Sequence, residues 1–182
     1  MTFTGHVFLG MSVDGFIARD DDSLDFLSGS GEDAGDAGFT PFVDSIDALL
    51  MGRGTYDVIA GEQEWPYQGK PLHLLSTTVA DDADPRLAAV HRTVDDAIDA
   101  LDAAGVGRVY VDGGRTVREL LARGRIQTLT LSRVPVLIGS GASLFGPLPR
   151  DVELEHVSTE VLGGGMVQTT YRVRESLQAE SD

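Results

Sequence analysis

The sequence predicts an α/β domain built on a mostly parallel sheet that finishes in an antiparallel pair. Three observations carry this. Short apolar runs of strand length alternate with segments whose apolar residues recur at helical spacing. Glycine-bearing turns stand where those runs end and the next segments begin. The C-terminal part holds two alternating segments, Val152–Val161 and Met166–Val173, joined by Leu162–Gly165, which read as an antiparallel pair.

Gly5–Ser12 reads as a buried strand. Asp20–Gly38 follows as a long acidic loop with six Asp and one Glu, either a solvated insertion or a lid over a site. Phe39, Phe42, Val43 and Ile46 then fall at helical spacing. Asp47–Met51 is a short buried strand closed by Gly52-Arg53-Gly54, and Thr55–Ala60 a short helix ended by Gly61. Leu72–Leu75 is a strand. Val94, Ala97, Ile98 and Leu101 form a helical stripe that stops near Gly105. Arg108–Val111 is a strand followed by Asp112-Gly113-Gly114, and Val117, Leu120 and Leu121 mark the next helix. Ile126–Val136 alternates as a strand, and Gly139–Gly146 is a Gly/Ser loop. No repeat or linker divides the chain, so residues 1–175 form one domain and 176–182 a frayed tail.

Composition narrows the function classes. The chain is 182 residues long and 42% hydrophobic, as expected of a globular domain with a real core. No apolar run is long enough to span a membrane, and the N-terminus lacks a signal-peptide pattern. Cysteine is absent, which removes disulfides, thiolate metal sites and cysteine nucleophiles together. A cytoplasmic location is the default expectation. Acids outnumber bases 29 to 14, for a net charge of −15. No basic footprint for nucleic acid exists, and an anionic membrane surface would repel the protein. Lys70 is the single lysine; every other base is arginine. A dispersed, lysine-poor acidic surface points to a halophile, or to a GC-rich genome.

Two strand–helix junctions carry the clearest chemistry. In Asp112-Gly113-Gly114-Arg115-Thr116, N–H groups at a helix start form an anion site, and glycine lets a phosphate approach. A tight turn would show the same letters. Gly52-Arg53-Gly54-Thr55 repeats the pattern and adds a cation and a hydroxyl. Together they suggest two halves of a pyrophosphate cradle, without a GxGxxG or GxxxxGK[ST] pattern. The hydroxyls of Ser76-Thr77-Thr78 either join Arg53 at a 2′-phosphate or form a polar turn. Asp36 stands three residues before Phe39. On a helix starting there its carboxylate would face the apolar side, with a raised pKa suited to proton donation. An N-cap is the plainer reading of the same residue. The four histidines lack metal-ligand spacing, and no GxSxG elbow occurs, so no metal centre or hydrolase triad is predicted.

The segments GMSVDGFIA (Gly10–Ala18), SLDFL (Ser23–Leu27), DALLMGRGTYD (Asp47–Asp57), GKPLHLLS (Gly69–Ser76), VYVDGGRTV (Val109–Val117) and LTLSRVPVLIGSGASLF (Leu129–Phe145) form an ordered set. That set resembles the dihydrofolate reductase-like superfamily. It is most similar to stand-alone proteins of the type of the C-terminal reductase domain of the riboflavin-biosynthesis protein RibD. The resemblance implies a three-layer fold, a central mixed sheet of about eight strands and an NADPH cleft. Gly10, Ile17 and Ala18 would line the nicotinamide end. Gly52, Arg53 and Thr55 would hold phosphates, with Arg53, Ser76 and Thr77 at the 2′-phosphate. Gly113, Gly114, Arg115, Thr116 and Val117 would cradle the pyrophosphate.

On the substrate side, Asp36 takes the place of the folate enzymes' acid, and Phe8, Val111 and Ser132 would face the substrate. Lys70 would hold an anionic group, unless it is a solvent-facing turn residue. The implied reaction is hydride transfer to a pterin- or aminopyrimidine-like small molecule, of the 5-amino-6-(5-phosphoribosylamino)uracil reductase type. Dihydrofolate reductase, or a nucleotide-binding module without reductase chemistry, is the alternative. A phosphorylated substrate requires a second anion site, near Lys70 or the Gly139–Ser143 loop. A homodimer is also implied. The chain departs from folate reductases in its acidic, tryptophan-free loop; the one tryptophan is Trp65.

Overall fold

A computed structural model describes residues 1–31, 35–61, 65–67 and 69–174. The tail expected over 176–182, and residues 32–34 of the acidic segment, lie outside the described residues. The strands are β1 (Thr4–Ser12), β2 (Phe16–Ala18), β3 (Ala48–Gly52), β4 (Leu72–Leu75), β5 (Leu87–His91), β6 (Arg108–Asp112), β7 (Ile126–Val134), β8 (Ala142–Ser143), β9 (Leu154–Val161) and β10 (Val167–Val173). The helices are α1 (Asp25–Gly31), α2 (Phe39–Asp44), α3 (Arg53–Ala60), α4 (Val94–Ala103) and α5 (Gly114–Ala122).

Eight strands form one sheet in the order β5-β4-β3-β6-β1-β7-β10-β9. Pairings from β5 to β7 are parallel, and β10 pairs antiparallel with both β7 and β9. The parallel strands are buried on both faces, which is why their sequences read as continuous apolar runs. Val7, Leu50, Val109, Val111 and Leu129 pack beneath Ala97, Ile98 and Leu101 of α4 and Val117, Leu120 and Leu121 of α5. On the other face Leu49, Met51, Leu72, Leu74 and Tyr110 pack with Val43 of α2 and Tyr56 of α3. The result is three layers, helix on sheet on helix. Among the described residues, no helix is long and apolar enough to cross a membrane.

The position of the cleft follows from where two central strands part. Thr4 N–H donates to Gly107 O and Gly5 N–H to Arg125 O, so alternate β1 residues turn their backbone toward β6 and toward β7. The β1–β6 ladder ends at His6 and Tyr110, whereas β1 continues beside β7 as far as Ser12. Beyond His6 the edges of β1 and β6 separate. Helices leave these neighbours on opposite faces, α2 after β1 and α5 after β6, which makes a switch point where open α/β sheets place ligands.

Four elements were not legible locally: β2, β8, α1 and the edge strand β5. β2 and β8 form a two-stranded sheet of their own, Phe16 opposite Ser143 and Ala18 opposite Ala142. Neither is long enough to show a period. α1 lies inside the segment read as an acidic loop. Its Phe26 is buried with Val134 and Met166, so α1 is anchored to the C-terminal strands. Leu27 lies over Gly10, where an added Cβ would come within 3.0 Å of its Cδ2. Of the two readings of the acidic segment, the structure supports a roof over the cleft.

Candidate active site

A cleft of about 870 Å³ opens at the C-terminal ends of β1, β3, β4 and β6. Its size suits a dinucleotide or a comparably large ligand. All the residues expected to hold a cofactor line it except Val117: Gly10, Ile17 and Ala18 at one end, the two glycine junctions in the middle, Ser76 and Thr77 at the other end. Ile17 and Ala18 reach the rim because β8 holds β2 in place, and Arg118 of α5 ties that loop down through Ser143 O (2.8 Å) and Leu144 O (3.1 Å).

The two junctions interlock. A Cβ on Gly113 would collide with the Thr55 hydroxyl, and one on Gly52 would come within 3.2 Å of Thr116 Oγ1. Gly113 also has φ +90°, a conformation that side chains disfavour. Both α3 and α5 start without a side-chain cap and without acid in the first turn. Their free N–H groups and positive dipole ends face the cleft, as an anion site requires. By contrast α4 is closed by its own capping box, Thr93 with Asp96. The first bond of α5 is Val117 N–H to Gly113 O (2.9 Å), so Val117 has no donor to offer, and its side chain is core.

Cations gather beyond the junctions. Arg53 donates to Thr78 Oγ1 (2.6 Å) and pairs with Asp57 (3.1 Å). Arg92, which carried no signal in the sequence, donates to Ser76 O (2.8 Å) and Val79 O (2.7 Å) and pairs with Asp81. Arginines thus flank the Ser76–Thr78 turn on two sides. The Ser76 hydroxyl is buried and accepts the N–H groups of Thr78 and Val79, so it shapes the turn. The exposed hydroxyls of Thr77 and Thr78 stand between the arginines.

The buried acid of the cleft is Asp112. It is 6% exposed, the last residue of β6, on the same sheet face as Tyr110. Oδ1 accepts Gly113 N–H (2.7 Å), and Oδ2 lies 3.1 Å from Tyr110 Oη and 3.3 Å from Tyr67 Oη. Tyr110 Oη is also 2.9 Å from the Phe8 carbonyl, which lies past the end of the β1–β6 ladder and can only accept. Tyr110 carries one hydroxyl proton, shared between Phe8 O and Asp112 Oδ2. Tyr67 donates to the same Oδ2. Burial, the dominant cause, raises the Asp112 pKa to about 6, while the hydrogen bonds from Tyr110, Gly113 N–H and Tyr67 oppose that rise. The Tyr67 and Tyr110 hydroxyls are pushed well above their ordinary value, again chiefly by burial.

The residues expected at the substrate, Phe8, Asp36, Lys70, Val111 and Ser132, do not line this cleft. Asp36 is exposed and precedes α2; its oxygens accept Gly38 N–H (3.0 Å) and Thr40 N–H (3.1 Å). Those bonds hold its carboxyl below the usual range, opposite to the shift that proton donation would need. It is a cap. Val111 is fully buried under α5 on the wrong sheet face, since side chains alternate; its neighbour Asp112 takes the cleft face. Lys70 Nζ donates to Asp44 O (3.2 Å) and Ile46 O (2.6 Å), closing the end of α2. Phe8 stacks on Phe42 at 4.9 Å inside an aromatic cluster, and the buried Ser132 hydroxyl accepts from Gln168 (2.9 Å). Sequence reasoning missed Asp112, whose only signal was an acid closing an apolar strand two residues after Tyr110.

The profile of the RibD C-terminal domain family matches residues 4–168. A Shewanella sp. PV-4 protein provisionally assigned to riboflavin biosynthesis has a similar crystal structure. It is 32% identical, the match covers 96% of this chain and 100% of that one, and the TM-score is 0.84. A pyrimidine reductase-like protein of Corynebacterium diphtheriae shares the fold, at 17% identity, 95% and 92% coverage and a TM-score of 0.68. The uncharacterised Bacillus subtilis protein YwjB is 26% identical over 159 residues, 86% of this chain and 91% of that protein.

Proposed function

This chain belongs to the RibD C-terminal domain family, and from that premise we propose that it is an NADPH-dependent reductase of a small heterocycle. The observation that carries the proposal is one cleft holding two open helix starts, a pair of arginines and a buried carboxyl group whose pKa is raised. NADPH, when bound, supplies the hydride. Gly113, Gly114 and Thr116 on one side, and Gly52 and Thr55 on the other, would hold its pyrophosphate by backbone N–H groups. Arg53 and Arg92, with Thr77 and Thr78, would take the 2′-phosphate and select against NADH. Asp112 would give its Oδ2 proton to the heteroatom of a C=N or C=O as the carbon is reduced. Tyr67 and Tyr110 steady the carboxylate that remains until water returns a proton. Leu27 and Leu24 of the α1 region exclude water from that end.

Two measurements test this. Saturating NADPH should raise the melting temperature by several degrees and NADH by much less. Asp112→Asn should lower kcat by about 100-fold with NADPH affinity within about threefold. No shift with either nucleotide would end the cofactor assignment, and full turnover in the variant would end that of Asp112. The homodimer has one observation in its favour: β9 is an edge strand exposed along its length, with Leu154, Val157 and Val161 outward.

A further inference from the structure

We propose, resting on the cofactor part of the reading above, that the groove between α5 and the start of α4 holds the adenine ring of the nucleotide, with Arg123 as the plane on which that ring stacks. The phosphates and the hydride end of the cofactor have their partners elsewhere in the cleft. The base needs a flat, partly apolar slot of its own.

Past the glycine junctions the cleft continues between α5 and the start of α4. Arg115, Glu119 and Arg123 follow one another at helical spacing i, i+4, i+8, so they share one face of α5, and all three line the cleft. Thr93 and Asp95 line it from the start of α4. The half-buried Leu75 and Val94, which pack on the core, add an apolar surface. Leu75 closes β4 directly before the Ser76–Thr78 turn, and Val94 opens α4 two residues after Arg92. The groove therefore adjoins the place assigned to the 2′-phosphate. One ribose carries both that phosphate and the base, so their two sites must be neighbours.

Arg123 is held in this groove by its edges. Nε and Nη2 donate to the two oxygens of Asp95 (2.7 and 3.5 Å), and Nη1 donates to Glu119 Oε2 (2.6 Å) and Glu119 O (3.0 Å). Four of the five guanidinium N–H groups are thereby engaged. Such bonds run in the plane of the group, so what remains for a ligand is a flat face. The side chain keeps 33% of its surface open. Two carboxylates against one guanidinium leave the trio with a net negative charge, which repels a phosphate. Arg53 and Arg92 differ in this respect, since each pairs with a single acid. A neutral aromatic ring gains stacking on the guanidinium and apolar contact with Leu75 and Val94.

The test uses the full chain at constant, high ionic strength. NADPH and adenosine 2′,5′-bisphosphate are titrated into the parent, Arg123→Ala and Arg123→Lys. The ion pairs lost lie at the surface, so both variants keep the fold. Failure of the parent to bind NADPH removes the cofactor reading and this proposal with it. Once the parent binds, both variants should hold both ligands about 5- to 20-fold more weakly. The emission of the bound reduced nicotinamide at saturation should match the parent's, because that end is untouched. Lysine keeps the charge and loses the plane, so it separates stacking from electrostatics. Parent-like affinity in either variant, or nicotinamide emission lost together with affinity, overturns the proposal while leaving NADPH use intact.

Discussion

Replacing Asp112 by Asn separates the two consequences of burying a carboxylic acid inside a protein. The carboxyl titrates near pH 6 when folded, against an ordinary value of 3.8. Ionising it in place therefore costs about 3 kcal/mol more than in the unfolded chain. The sign follows from the raised folded pKa. Between pH 4 and 6 the folded state holds a proton that the unfolded state has lost, so this group makes stability fall as pH rises through that window. Asparagine never ionises and removes the cost. Its Oδ1 can accept Gly113 N–H and its Nδ2 can donate to Tyr110 Oη. Tyr67, however, loses the acceptor it has at 3.3 Å, at a cost of about 1 kcal/mol. The variant should thus be about 2 kcal/mol more stable than the parent at pH 8 and about 1 kcal/mol less stable at pH 3.5. Urea midpoints at both pH values, in the same salt, measure the crossing. A variant destabilised as much at pH 8 as at pH 3.5 would show that folding does not raise the Asp112 pKa, and the assignment of Asp112 as a proton donor would fall.

Other outcomes follow from the same geometry. Arg53→Ala and Arg92→Ala should each weaken NADPH by about 10- to 100-fold and NADH by less than threefold; equal losses would place both arginines outside the 2′-phosphate site. Gly113→Ala should abolish NADPH binding and cost about 2 kcal/mol, because its Cβ meets the Thr55 hydroxyl at φ +90°; titration calorimetry and urea unfolding read the two effects. Asp36→Asn should leave kcat within about twofold, since the residue caps backbone N–H groups outside the cleft. A tenfold loss would return it to the chemistry.

Most of the sheet and its two glycine junctions were legible in the sequence because the relevant signals are local. An apolar run of strand length, a glycine pair and the helical stripe after it are all set by neighbouring residues, and they placed Gly52–Thr55 and Gly113–Thr116 at strand–helix junctions. That the two junctions interlock through Thr55 and Thr116 is a long-range fact. Val111 shows the limit of such local signals. Val111 and Asp112 differ by one step along a strand, and side-chain alternation sends one to the core and the other to the cleft. Which face is which depends on the α5 crossover and not on the letters. The raised pKa of Asp112 depends on burial among residues distant in the chain, Tyr67 being 45 residues away. By itself the sequence determined the fold, the glycine-bearing strand–helix junctions and the absence of cysteine chemistry. Only tertiary structure decided which carboxylate is buried without a countercharge. Desolvation by residues distant in the chain sets that, and no local pattern encodes it.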